Sequence, residues 1–228
     1  MTTRARTSIT PRESASRGRI DKRHAILDAA FTVFSRKGYS QACVNEIAAE
    51  AGVAKPTVYN HLDSKENLFR HAMTTAAEGA MARNLAAIER LRDADGDLRG
   101  PLEELGLRLL QCYSNDQSWA LRRLLYAEVT QFPDLLDIVL GNGTNRLAEA
   151  LADRFARLAL TGRLRPADPA AAAEQFLALL TGPVDIRSRL GTRRMKETEL
   201  RQVAGAAVAT FLLAFSAEGS RSAVAQEI

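Results

Sequence analysis

Hydrophobic positions fall at helical spacing along most of the chain. Between residues 19 and 37 the apolar residues Leu27, Ala30, Phe31 and Phe34 recur at i, i+3, i+4 and i+7, the stripe of an amphipathic helix, and Gly38 follows as a stop. A shorter stripe, Val44, Ile47, Ala48 and Ala51, ends at Gly52, which takes a left-handed conformation without a steric cost. Val53 follows and can seal the turn. Pro56 then stands in the first turn of another short helix, where its missing N–H removes no helical hydrogen bond. In that helix Val58 faces inward, and Lys55, Thr57, Tyr59, Asn60 and His61 are free to face out. Asp63 or Ser64 is placed to cap the next helix, with Glu66 three residues after Asp63. Two short helices on a glycine turn, one with a polar, basic outer face, form the pattern of a helix-turn-helix sized for the DNA major groove.

Further along, a long helix is expected from Ser64 to about Arg92, broken by the Gly-, Asp- and Pro-rich stretch 93–101. Helices are expected at 101–114, 117–130, 133–140 and 143–162, with Gly141, Asn142 and Gly143 as a turn and not a nucleotide loop. Asp168 and Pro169 open a helix through about Leu190 that Gly182 and Pro183 should kink and Gly191 should stop. A last helix runs from Glu197 to Phe215. No alternating strand pattern of useful length occurs. The fold class expected is all-α: an N-terminal three-helix helix-turn-helix domain, then a helical-bundle domain for ligand binding and dimerisation. The boundaries expected are a disordered Arg-rich tail at 1–17, the DNA-binding domain at 18–65, the effector-binding and dimerisation domain at 66–216, and a disordered tail at 217–228.

Charge sharpens this division. Residues 1–70 hold 12 Lys and Arg against 7 Asp and Glu, and the remaining 19 and 20 nearly cancel. Positive charge therefore concentrates where phosphate would be met. Arg4, Arg6, Arg12 and Arg17 suit phosphate tracking or entry into a minor groove, and equally a solvated tail. No run of about 18 apolar residues suggests a membrane span, and the polar N-terminus is unlike a secretory signal. Cys43 and Cys112 lie far apart, which fits a reduced, cytoplasmic protein without a disulfide.

Three segments, Ala29 to Tyr39, Ile47 to Tyr59 and His61 to Leu68, resemble in order and spacing the N-terminal domain of TetR-family transcriptional regulators. Leu121 to Leu135 and Ala173 to Leu180 resemble the AefR-like branch. The resemblance implies an all-α homodimer that represses transcription and leaves its operator when a small molecule binds the C-terminal domain. It also implies that Tyr59 and His61 are the aromatic pair on backbone phosphates. Lys55 suits a base edge or a phosphate, Thr57 a phosphate or a thymine methyl, Asn60 an adenine or a phosphate, and Lys65 a phosphate at the helix N-terminus beside it. One departure stands out. Where the family has a capping Thr before the first helix of the pair, this chain has Ala42 and then Cys43, leaving Ser40 as a substitute cap.

For dimerisation the strongest apolar stripe of the last two helices is expected: Phe176, Leu180, Leu200, Ala204, Ala207, Val208, Phe211 and Phe215, with Gly205, Ala206 and Ala209 small enough for close helix contact. Met73, Met81, Leu107, Leu110, Tyr113, Trp119, Tyr126 and Phe176 are candidates for an effector pocket, though each also suits ordinary core. No charged cluster points to a ligand chemistry, so a mostly hydrophobic effector is expected. Neither a cofactor nor a metal is expected, since no metal-ligand spacing occurs. No catalytic arrangement or P-loop occurs either, which argues against an enzyme. A DNA-binding regulator without an effector remains the alternative.

Overall fold

The computed structural model describes residues 11–91 and 97–217, with 11–19 and 142–144 as backbone only. Among the described residues there is no strand. The helices are α1 (Pro11–Gln41), α2 (Val44–Glu50), α3 (Lys55–Leu62), α4 (Lys65–Glu89), α5 (Arg99–Tyr113), α6 (Asp116–Glu128), a π-helix (Asp137–Thr144), α7 (Asn145–Leu160), α8 (Pro169–Arg187) and α9 (Glu197–Phe215). The chain divides into two compact units, and the division falls between Ala76 and Ala77, inside α4. The sequence-based boundary stood at 65/66, eleven residues earlier, where α4 begins.

In the first unit, Ile26, Leu27, Ala30 and Phe34 of α1 are buried together with Val44 and Ile47 of α2, Val58 and Leu62 of α3, and Leu68 and Phe69 of α4. Phe34, Tyr39 and Phe69 form an aromatic knot, with ring centres 4.9 Å apart for Phe34 and Phe69 and 5.1 Å for Tyr39 and Phe69. Gly38 (φ 75°) breaks α1 where expected. At the other end α1 starts at Pro11, so residues 11–17, expected in the tail, are helical backbone: a proline at the first helical position is already set for the helix and gives up no hydrogen bond. The expected segments 1–10 and 218–228, with Arg4 and Arg6, lie outside the described residues.

The second unit is built on α5, α7, α8 and α9. Phe155 of α7, Phe176 of α8 and Phe211 of α9 meet with ring centres 5.0 to 5.6 Å apart, and Phe215 stacks on Phe211 at 4.8 Å. Helix α5 crosses α9 at Gly106, where an added Cβ would lie 3.3 Å from the Ala204 Cβ and 3.1 Å from Leu180 Cδ2. The tightest approach thus runs through Ala204, whereas a Cβ on the expected Gly205 would make only an ordinary contact, 4.0 Å from Glu103 Oε1. Asp168 caps α8, its carboxylate accepting from the Ala170 N–H at 2.9 Å. Past α8 the backbone of Arg189, Leu190 and Gly191 is left-handed, with φ of 51°, 54° and 80°. Gly191 is obligatory there for a second reason: a Cβ would come within 2.3 Å of the Trp119 ring.

One sequence expectation is corrected outright. Gly141, Asn142 and Gly143 do not make a turn. They belong to the π-helix, which runs directly into α7. Its wider i→i+5 winding takes up residues that a regular α-helix could not. Helix α5 likewise starts at Arg99, with Gly100 and Pro101 in its first turn, where proline is tolerated.

Candidate DNA-binding surface and effector cavity

The α2–α3 turn is closed by two backbone bonds that reverse the chain. The Gly52 N–H donates to Ala49 O (3.1 Å) and the Val53 N–H to Ala48 O (2.9 Å), with Gly52 at φ 64°. This pairing satisfies the last carbonyls of α2 and needs a residue without a Cβ at its centre. Two ion pairs tie α2 to α1: Arg36 with Glu50 at 3.3 Å, and Lys37 with Glu46. The hydrogen bond from Lys37 holds the Glu46 carboxyl below the ordinary carboxylate range.

With Val58 and Leu62 buried, α3 turns its other side outward. Lys55, Tyr59 and Asn60 are exposed, and Thr57 and His61 are half-buried. Lys55 Nζ lies 6.0 Å from the centre of the Tyr59 ring. Lys65 is held differently. Its ammonium donates to Ser40 O at 3.2 Å and sits 4.6 Å over the Tyr39 ring, so it closes the end of α1 as well as standing at the start of α4. Ser64, not Asp63, caps α4, its hydroxyl accepting from the Asn67 N–H at 3.1 Å. Cys43 is the N-cap residue of α2 and makes no side-chain cap, and Ser40 does not replace it. Changing Cys43 to Thr should therefore stabilise the protein by about 0.5 to 1 kcal/mol, because a hydroxyl can accept from an α2 N–H that now has no side-chain acceptor. Thermal melting of the two proteins checks this.

The second unit contains a cavity of about 300 Å³. The C-terminal half of α4 supplies Ala77, Ala80, Met81 and Asn84, α5 supplies Cys112 and Tyr113, and α6 supplies Ser118, Leu121, Arg122 and Tyr126. The π-helix contributes Val139 and Leu140, α7 Leu147, and α8 Leu177 and Thr181. Of the eight expected effector residues, Met81, Tyr113 and Tyr126 line it. Leu107, Leu110 and Phe176 are fully packed in the core of the second unit, and Trp119 is buried behind Tyr113, their rings 5.9 Å apart. Met73 is buried in the first unit. The polar members Asn84, Ser118, Arg122 and Thr181 were missed. An arginine among Leu121, Leu124 and Leu125 was the available signal, because a charge at an inward position of an apolar helix needs a reason to be there.

The Tyr113 hydroxyl donates to Asp185 (2.9 Å to Oδ1), and burial raises its pKa well above the ordinary value. Burial also pushes the Cys112 thiol up, which leaves it uncharged and unreactive.

All eight residues expected at a dimer interface are buried within their own chain. Helices α8 and α9 spend their largest apolar side chains on the core shared with α5 and α7. What they expose is another stripe: Ala178, Gly182 and Ile186 on α8, and Ala206, Thr210 and Leu213 on α9, with Ile186 and Leu213 each 81 % exposed.

A helix-turn-helix unit followed by an all-helical unit with its own cavity defines a class of regulatory DNA-binding proteins. Family matches place the chain within it. Residues 26–72 match "Bacterial regulatory proteins, tetR family", and residues 100–217 match "AefR-like transcriptional repressor, C-terminal domain". The protein is a member of the TetR family of transcriptional regulators and, like them, is not an enzyme. A solved TetR-family regulator from Mesorhizobium loti is 30% identical, superposes with a TM-score of 0.81, and is covered over 98% of its length by 87% of this chain. The flavonoid-responsive regulator FrrA is 25% identical, with a TM-score of 0.65, over 86% of this chain and 97% of its own. Among curated relatives, the HTH-type transcriptional regulator YvkB of Bacillus subtilis, itself uncharacterised, is 24% identical over 74% of this chain and 84% of its own. No helix of the described residues is long and apolar enough to cross a membrane.

Proposed function

We propose that this regulator is a cytoplasmic repressor that holds a palindromic operator as a homodimer and lets go when a small, mostly hydrophobic effector enters the second unit. The carrying observation is that α4 belongs to both units: it begins beside the DNA-facing α3 and, further along, supplies one wall of the cavity. A ligand packed against Ala77, Met81 and Asn84 presses on the helix whose first turn holds Lys65. The match to AefR-like repressors supports the sign of regulation, and FrrA, named for its response to flavonoids, supports a small-molecule input. A coupling of about 1–3 kcal/mol between the two sites would weaken operator binding roughly 5- to 150-fold.

In the proposed complex Lys55, Thr57, Tyr59, Asn60 and His61 face the major groove and its flanking phosphates, with Lys65 beside them. Dimerisation runs through the exposed stripe of α8 and α9 in place of the buried stripe expected from sequence. Two copies of the pair make a four-helix bundle with two-fold symmetry. Such a dimer matches half-sites about one helical turn apart, roughly 34–36 Å.

DNA selected from a random pool supplies the operator, and Lys55 supplies the test. Lys55→Ala should weaken binding to all sequences and reduce the slope of log K against log salt by about 1, since one phosphate contact is lost. A slope equal to that of the unchanged protein would remove Lys55 from the phosphate contacts. Failure of the unchanged protein to bind any duplex at low salt would end the proposal.

A further inference from the structure

The effector cavity has two unlike walls. Met81, Leu121, Val139 and Leu177 make one apolar. On the other, Arg122 lies flat, its guanidinium carbon 3.8 Å from the centre of the Tyr113 ring and 3.9 Å from that of Trp119. Its Nη2 donates to Tyr113 O at 2.9 Å, while its Nε is buried with no partner. The nearby carboxylate does not supply one: Asp185 is turned to the Tyr113 hydroxyl, which it meets at 2.9 and 3.2 Å. Burial pulls the Arg122 pKa down, against the opposing charge of Asp185 nearby. Asn84, on the same cavity, also buries its Oδ1 without a partner.

A buried polar atom without a hydrogen bond is costly, and a guanidinium stays protonated through any physiological pH. Both side chains line one cavity, so its occupant is the group able to draw them into hydrogen bonds. We infer that the effector is an amphipathic organic acid, whose carboxylate is received by the Arg122 guanidinium and whose apolar body lies on Met81, Leu121, Val139 and Leu177. A polar group on that body would meet the Asn84 side chain. The acid is favoured over a neutral carbonyl or alcohol because a hydrogen bond between ions is about twice as strong as a neutral one, more so away from water. This rests on the ligand-gated reading above and narrows it: the body is hydrophobic, as the sequence suggested, but the head is anionic.

Matched probes test it in the full chain by calorimetry: 2-naphthoate against 2-naphthalenemethanol, and decanoate against decanol. The acids should bind about 10- to 100-fold more tightly than the alcohols. Arg122→Met should abolish that preference. Arg122→Lys, which keeps the charge and the packing stem but loses the planar guanidinium fork, should shrink it, and so guards against an unfolded Met variant. Alcohols binding as well as acids, acids failing to bind at millimolar concentration, or a preference that survives both substitutions would overturn the assignment. Release of operator DNA by the alcohols alone would also overturn it, leaving the repressor reading intact. Acid binding by a protein that ignores duplex DNA would do the reverse.

Discussion

Replacing Ile186 and Leu213 together with Glu should yield a folded monomer that no longer holds its operator. Both side chains project from the outer stripe of α8 and α9, each 81 % exposed within one chain, so neither contributes much to the core of its own unit. At a two-fold interface each would meet its own copy or a near neighbour, and four carboxylates brought together in an apolar contact repel and lose their hydration. Light scattering should report half the mass at micromolar concentration, while helical circular dichroism stays unchanged. Operator binding should fall by about 100-fold or more, because two linked recognition helices bind with an avidity that one cannot reach. A double variant that remains dimeric would show that some other surface pairs the subunits.

The second large effect lies inside the chain. Phe211 is fully buried between Phe155, Phe176 and Phe215, at ring distances of 5.0, 5.1 and 4.8 Å. Phe211→Ala empties the point where α7, α8 and α9 converge, and neighbours fixed on three helices cannot close in. The expected loss is about 3–5 kcal/mol. Since each kcal/mol lowers the melting temperature of a domain this size by roughly 2–4 °C, the second unit should melt about 10 °C or more earlier. Glu149→Ala, on the exposed side of α7, should move it by less than a degree or two. Equal effects at the two positions would mean that Phe211 is not the centre of this core.

These two predictions also show where sequence stops being legible. Phe211 and Leu213 stand two positions apart on one helix, and periodicity alone separates their faces without saying which face meets what. The stronger stripe was assigned to a partner. In the structure the stronger stripe goes to the chain's own core, and the weaker one, built on Ala178, Gly182, Ala206 and Leu213, is left outside. The DNA-facing unit was legible because its signals are local: Gly38 and Gly52 fix the stops, Pro56 sits at the start of α3, and Val58 sets which side of α3 is buried. The cavity was not, because Asn84, Arg122 and Thr181 come from three helices far apart in sequence. Periodicity can place Arg122 on an inward face, but only the packing of α5, α6 and α8 shows that Asp185 is already engaged by Tyr113. The π-helix was missed for a different reason. Its widened winding has no composition of its own, and the glycines at 141 and 143 suggest a turn more readily.

Trp119 is the only tryptophan in the chain, and it sits against the same guanidinium that faces the cavity. Indole emission responds to the charge beside it. Drawing Arg122 toward an incoming acid would shift that emission, so the protein carries its own optical gauge of occupancy. Titrations could then be followed on unlabelled material, with light alone.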